Sequence, residues 1–456
     1  DLINSLPKRK QGLAGRLSYA YDGKYMAEVN MGYNGSENFA KGHRWGFFPS
    51  IALGYNISEE SFFVPLRKVI TSMKLRGSWG LVGNDQIGGE RFIYMPTINL
   101  SGKGFTTGID QNYGLSGPVY TRYENNSITW EVGEKINLGI DLQLLNSLNI
   151  VVDIFRETRR DIFQKKGTIP TYLGTGNTDV FGNLAEMKNQ GLDLSIDYNK
   201  AFSKDFYMNF KGTFTYAHNE ITKYDEAPKY AFQSKVGQSA NVSQGYLSNG
   251  LFLDEAEIDR YNQQMGSTLG AGDIKYLNVS NMHGYGDDIV DVDDWTWIGN
   301  PTVPEIVYGF GPSFKYKNWD FSFFFQGVAK VSLVMSDFHP FGDNSLRNVL
   351  TWIADDRWSP DNQNINATYP RLTRDTSVNN TQRSDYWLRN AAFIKLKNAE
   401  IGYTYKNMRF YVSGMNLATF SPFKHWDPEQ GGGNGLKYPT QRVFNFGFQM
   451  TINNNR

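Results

Sequence analysis

A side-chain period of two governs this chain. Thirteen segments set apolar residues against polar ones at alternate positions, the pattern of β-strands with two unlike faces. Leu13, Gly15, Leu17, Tyr19 and Tyr21 alternate with Ala14, Arg16, Ser18 and Ala20. After the tight turn Asp22-Gly23-Lys24, Tyr25, Ala27, Val29, Met31 and Tyr33 alternate with Met26, Glu28, Asn30 and Gly32. Further stripes run Phe47 to Ile57, Met73 to Leu81, Ile136 to Leu144, Leu148 to Ile154, Leu192 to Tyr198 and Phe206 to Tyr216. The last five run Ile306 to Tyr316, Trp319 to Gly327, Ala391 to Tyr403, Met408 to Leu417 and Arg442 to Ile452. In the stripe from Ala391, Ile394 and Leu396 face one way and Ile401 and Tyr403 the other, which a bulge near Asn398 reconciles.

The connections alternate between short (22–24, 57–70, 146–147, 201–204, 317–318, 405–407) and long (35–43, 84–133, 160–187, 220–304, 332–389, 419–439). A water-soluble antiparallel sheet with one solvated face has no reason to gather every long loop at one end. A transmembrane antiparallel β-barrel does, with turns toward the periplasm and loops outside. Segment 57–70 is the one long turn at the short end, and Glu59, Glu60, Arg67 and Lys68 predict a surface helix there. The apolar stripes are expected to face lipid, with Tyr and Trp near the strand ends as a girdle.

Composition agrees. Lys plus Arg and Asp plus Glu both number 46, so the charge is balanced and nucleic acid is not an expected partner. With no cysteine, thiolate zinc sites, disulfide scaffolds and Cys nucleophiles are excluded. No run approaches 18 apolar residues, which excludes a transmembrane helix but not a barrel, whose alternating strands leave a mean hydropathy of −0.48 unremarkable. The opening Asp1-Leu2-Ile3-Asn4 reads as the interior of a longer protein. An odd strand number cannot close a bacterial barrel, so the missing strands are expected before Asp1 or in a separate chain.

Several segments, in order along the chain, resemble the SusC/RagA family of TonB-dependent outer-membrane transporters. They are Ser127-Ile128-Thr129-Trp130-Glu131 with Asn137-Leu138-Gly139-Ile140-Asp141, Asn189-Gln190-Gly191-Leu192-Asp193, and Gly272-Asp273-Ile274-Lys275-Tyr276. Ile298-Gly299-Asn300-Pro301, Tyr308-Gly309-Phe310, Trp319-Asp320-Phe321-Ser322 and Arg357-Trp358-Ser359-Pro360 follow. Ala392 to Asn398, Asn416-Leu417 and Trp426-Asp427-Pro428-Glu429 complete the set. The resemblance implies a 22-stranded plugged barrel of which these are the last strands, with the plug and TonB box upstream. It also implies a Gram-negative outer membrane and a SusD-like surface lipoprotein as lid. Transporter–lid pairs would dimerise, and TonB-energised import would take oligosaccharides, or peptides as in RagA-type relatives. Glycan is the expected class because the loops are rich in aromatics. A surface-binding barrel that does not transport is the competing reading; a barrel-borne hydrolase is the third.

Candidate sites follow from both sources. The lumen stripe carries Arg16, Glu28, Lys74, Arg76, Lys135, Asp141, Asp193, Asp197 and Lys211, a mixture of signs expected to meet a plug. Loops 220–304 and 332–389 are expected to form most of the lid's docking surface, with Trp352, Arg357, Trp358 and Trp387 as anchors; alternatively these side chains hold the loops together. Asp287, Asp288, Asp291 and Asp293 offer oxygens at spacings that can bind Ca²⁺. The family's Asp-rich loop lacks its leading Asp here (Asn278-Val279-Ser280-Asn281-Met282-His283-Gly284), so a solvated acidic loop without metal is the preferred reading. Trp295 and Trp297 either stack on a sugar or pack within the loop. None of the five histidines is spaced as a zinc motif, and no nucleophile elbow or P-loop is present, so an enzyme is not expected. The last strand reads Asn445-x-Gly447-x-x-Met450-x-Ile452, a C-terminal insertion signal, and Phe444, Phe446, Phe448, Met450 and Ile452 are expected to face lipid or the girdle.

Overall fold

The computed structural model describes residues 7, 9–88, 91–170, 172, 178–261, 263, 269–285, 287–336, 349–373 and 377–452. The stretches 1–6 and 453–456, and 337–348 and 374–376 of the expected docking loop, lie outside the described residues. In chain order the strands are β1 (Lys10–Tyr21), β2 (Tyr25–Ser36), β3 (Trp45–Asn56), β4 (Ile70–Asn84), β5 (Thr97–Thr107), β6 (Tyr113–Arg122), β7 (Glu131–Leu144), β8 (Leu148–Lys165), β9 (Phe181–Ala201) and β10 (Phe206–Lys223). Then come β11 (Ser243–Gly245), β12 (Ser248–Leu251), β13 (Ile274–Tyr276), β14 (Thr296–Ile298), β15 (Ile306–Tyr316), β16 (Trp319–Ala329), β17 (Ser332–Val334), β18 (Leu388–Asn390), β19 (Phe393–Tyr405), β20 (Met408–Phe420) and β21 (Val443–Met450). Thirteen form one sheet in the order β1-β2-β3-β4-β7-β8-β9-β10-β15-β16-β19-β20-β21, and they are the thirteen segments with period two. The rest pair as β5-β6, β11-β14, β12-β13 and β17-β18 within the long connections. Among the described residues no helix is long and apolar enough to cross a membrane.

The chain divides into two compact units: Asp1–Tyr198 with Tyr216–Ala227 and Lys235–Ser239, and Asn199–Thr215 with Pro228–Ser234 and Ala240–Arg456. In the first, the register aligns Leu17 with Val29, Val29 with Ile51, Ile51 with Trp79 and Trp79 with Ile136, so one apolar face runs across five strands. Leu17 is 73 % exposed. In the second, Phe446 opposes Val412 and is 83 % exposed, and Phe448 opposes Phe410 with ring centroids 5.1 Å apart. So continuous an exposed apolar face requires an apolar solvent.

The buried apolar clusters lie in the long connections and the strand ends beside them. The first unit packs Phe39, Ile87, Ile93, Ile128 and Trp130 together. The second packs a larger set around Tyr276, Tyr369, Trp358, Trp387 and Ile353.

Three details refine the sequence expectations. The bulge falls beside Asn398: Phe324 opposes Asn398 and Phe325 opposes Leu396, which leaves Lys397 as the extra residue. Segment 57–70 forms two 3₁₀ turns, Ile57–Glu59 and Ser61–Lys68, separated by the extended Glu60, and Pro65 inside the second contributes no backbone donor. Connection 84–133 contains the hairpin β5–β6, whose alternation is hidden by repeated register shifts near Gly102, Gly104, Gly114 and Gly117.

The exposed face of β21 yields a test. Phe448→Arg is expected to cost about 2–4 kcal/mol of folding stability in bilayers, read by urea titration of vesicle-inserted protein. Wild-type stability would place Phe448 away from lipid.

Candidate functional site

The face opposite the apolar stripe is built from charged and small residues at the intervening strand positions. Arg76 on β4 grips Asp141 on β7 in a fork, Nε at 3.0 Å and Nη2 at 2.7 Å from Oδ1, and its Nη2 also reaches Asp153 Oδ2 on β8 at 3.0 Å. The residue opposite Arg76 is Gly139, where a Cβ would lie 2.8 Å from Arg76 Nη2 and 2.6 Å from Asp153 Oδ1. Glycine is what lets the guanidinium lie across the ladder to two strands. Arg16 pairs with Glu28, which also accepts from Asn30 at 2.9 Å. Lys74 stands opposite Asp141, Lys135 lies 3.7 Å from Glu157, Asp193 stands opposite Asp153 and Asp197 opposite Asn149. Met26, Glu28, Lys74, Arg76 and Asn137 line an open pocket of about 510 Å³ on this face. In the second unit Lys211 lies on β10, and Arg409 on β20 pairs with Asp320 on β16 and with Glu400 on β19 at 2.6 Å. These pairs are partly solvated, so each adds only about 0–1 kcal/mol; their common effect is a wet, charge-balanced wall.

The loops of the second unit carry a buried polar network. Asp273, fully buried, receives Arg371 Nε at 2.6 Å and Nη2 at 2.9 Å, Asn380 Nδ2 at 2.8 Å and the Gly270 amide at 2.9 Å. Its neighbour Gly272 has φ +86°, and a Cβ there would meet the Trp358 ring at 2.3 Å. The Gly272–Tyr276 and Arg357–Pro360 motifs are therefore two sides of one contact. Trp358 is 6 % exposed and Trp387 2 %, with Trp387 Nε1 donating to Asn380 O at 2.8 Å. Both are core side chains, which favours their loop-holding reading over that of partner anchors. Trp352, half-buried, stacks on His425 at 4.1 Å, and Arg357 donates to Ala354 O. Trp297 Nε1 donates to Ser234 O at 2.8 Å, and Trp295 meets Tyr246 edge-on at 5.9 Å. In the first unit Trp130 Nε1 donates to Arg44 O at 3.0 Å, and Glu131 accepts from Asn84 Nδ2 at 2.9 Å and the Phe163 amide at 3.1 Å.

Oxygens of Asp287, Asp291 and Asp293 lie within 4.8 Å of one another, and Asp288 is not part of that group. These acids already have partners: Asn278 on Asp287, the Asp293 amide on Asp291, Lys229 on Asp293 and Asn281 on Asp288. They lie in the acidic loop between Ile274–Tyr276 and Thr296–Ile298. Around it Phe232 stacks on Tyr230 at 5.4 Å and on His283 at 4.7 Å, and Tyr285 lies 4.3 Å from Tyr230. His283 and Tyr285 are exposed.

A further charged cluster joins β19 to the connection after β20. Lys395, 1 % exposed, reaches from β19 to Asp427 at 2.7 Å and Glu429 at 2.6 Å, and Lys397 joins Glu429 at 2.8 Å. Burial pushes both carboxyls up, but hydrogen bonds from the lysines outweigh it and hold both below the usual carboxylate range. Asp153, Arg409 and Lys395 were visible as polar positions within period-two segments, but their distant partners were not. The pairing fixes segment 426–430 to the wall, and its sign follows from the depressed pKa values. The stabilisation is present at neutral pH and is lost as pH falls below about 4, through the folded carboxylate values. Lys395→Met should loosen this segment by about 1–3 kcal/mol, seen as cleavage within 421–442 at pH 7 where wild type resists. Wild type should become cleavable only on acidification, and equal resistance in both proteins would remove the latch.

Comparison with known proteins matches the chain to the family model described as TonB dependent receptor-like, beta-barrel, over residues 3–417. It is 28 % identical to TonB-dependent receptor SusC of Bacteroides thetaiotaomicron, covering 96 % of this chain and 43 % of that protein. It is 26 % identical to TonB-dependent receptor P3 of Formosa agariphila, covering 96 % of this chain and 45 % of that protein. The chain thus spans less than half the length of these relatives. The structure of the RagAB peptide transporter shares its fold, with a TM-score of 0.71 at 21 % identity over 97 % of this chain and 47 % of that one. The exposed apolar stripe, the wet charged wall and the order of the motifs thus have one common origin: the chain belongs to the TonB-dependent receptor β-barrel family.

Proposed function

We propose that this chain forms the larger part of the barrel of an outer-membrane, TonB-dependent importer that takes oligosaccharides and works with a SusD-like lipoprotein lid. The observation that carries this reading is the two-faced sheet, apolar and exposed on one side, charged and paired on the other, in a chain of this family. A wall lined by Arg76, Asp141 and Asp153 in one network suits a folded plug hydrogen-bonded to it rather than a selective open pore. In this reading Arg16, Glu28, Lys74, Lys135, Asp193, Asp197 and Lys211 serve the same seat. The glycan assignment draws on the ring cluster of half-buried Phe232 with exposed His283 and Tyr285 in the loop that carries Asp287 and Asp293, since ring faces and carboxylates together suit the CH and OH groups of sugars. Oligopeptides are the second reading, favoured by the likeness to the RagAB peptide transporter. The half-buried Trp352 and Arg357, rather than buried Trp358 and Trp387, are then the lid contacts to probe.

The test is uptake by cells lacking the transporter and complemented with the full-length protein. Energised uptake of oligosaccharides, lost on deleting TonB, is the expected result. Uptake of peptides alone would replace the substrate class, and surface capture without uptake would leave a receptor that does not transport. Arg76→Ala should raise passive leak of small solutes while substrate capture at the surface stays within about twofold. Lost capture with a tight pore would move the binding site to the lumen wall.

A further inference from the structure

The connection 57–69 is the one long crossing at the end of the sheet where the other turns take two to four residues, although a hairpin needs only a few. Its position is fixed by the strands beside it. Tyr25 and Tyr55, both on the apolar face, stack at 5.1 Å, and their hydroxyls donate to Glu60 Oε1 at 2.7 and 3.3 Å. Glu60 therefore caps the lipid-side rim of β2 and β3, and Ser61–Lys68 leaves from that rim, not from the charged face. Phe63 turns inward, 3 % exposed. Phe62 (66 % exposed), Val64, Leu66 and Val69 turn outward. The next turn adds exposed Leu145, whose amide donates to Val69 O at 2.8 Å. Arg67 is spent on the turn itself, with Nε donating to Ser58 O at 2.7 Å, and Lys68 stands exposed beside the apolar patch.

Four outward apolar residues on a hydrogen-bonded turn, joined to a lipid-facing stripe and edged by a cation, match the make-up of an interfacial anchor. We infer that Ser61–Val69, with Leu145, is a membrane-interface anchor on the periplasmic side: Phe62, Val64 and Leu66 enter the acyl–headgroup boundary and Lys68 meets lipid phosphate. The inference rests on the membrane-barrel reading. Its occupant is the phospholipid leaflet because the patch is continuous with the stripe that lipid covers and carries the charge complementary to phosphate.

The chain has no cysteine, so single nitroxide labels can be placed in it, with any cysteine of the full-length transporter removed. Phe62→Cys and Leu66→Cys are compared with Leu53→Cys on the apolar face and Glu59→Cys as the aqueous reference. The protein is reconstituted in phosphatidylethanolamine–phosphatidylglycerol vesicles. Labels at 62 and 66 should be reached by oxygen and shielded from a water-soluble nickel chelate, between the two references. Adding Lys68→Glu should raise nickel access at 62 at least about twofold. If 53 reads as lipid while 62 and 66 read like 59, the turn points to water or to a periplasmic protein, and the anchor is refuted with the barrel intact. If 53 itself reads as water, the membrane reading falls first. Nickel access at 62 unmoved by Lys68→Glu would remove the phosphate contact.

Discussion

Backbone amides in the middle of a bilayer have no water to bond, so each must find a partner within protein. The rest of this chain answers to that constraint. A ladder of neighbouring strands satisfies the amides, and strand order following chain order keeps each connection local. Because consecutive strands run antiparallel, connections fall alternately at two ends. One end is kept to tight turns, and elaboration is confined to the other. Only 57–69 breaks this division, and it does so with a segment that turns Phe62, Val64, Leu66 and Val69 outward.

The same constraint removes the core from the sheet. Leu17, Ile51 and Phe446 cannot be buried against protein, because their solvent is lipid. Protein-style burial is instead concentrated in the loops. There Tyr276, Tyr369, Trp358 and Trp387 pack about Asp273, whose charge is compensated by Arg371, Asn380 and a backbone amide. A buried carboxylate is tolerated only when its oxygens are fully bonded, and this one is bonded by segments a hundred residues apart. The result is loop structure defined by polar geometry as much as by apolar area.

That distinction explains what could be read from the sequence. Strand number, faces and the bulge beside Asn398 are local properties of a period-two pattern, and all were legible. The hairpin β5–β6 was not, because glycines and register shifts break its period. The role of Trp358 was not legible either: its burial depends on Gly272 having no Cβ, a fact about a residue far along the chain. Arg76 and Asp141 could be placed on one face by parity alone, whereas the third member, Asp153, required the register of β7 on β8. Lys395 reads as a wall residue by period, and only the return of segment 426–430 turns it into a buried latch.

The family motifs acquire a physical meaning from this. Trp130, Glu131, Gly139, Asp273, Gly272, Trp358, Lys395 and Asp427 make close-packed or hydrogen-bonded contacts within the protein. They hold the loops on the wall and bring charges on neighbouring strands together, so they specify a scaffold and not a cargo. The side chains that the scaffold leaves outward, such as exposed His283 and Tyr285 on their ring cluster, lie outside the Gly272–Tyr276 and Ile298–Pro301 segments that flank them. The motif residues therefore account for how the loops are held, and under the proposed importing role a preference among substrates falls to the exposed layer that they support.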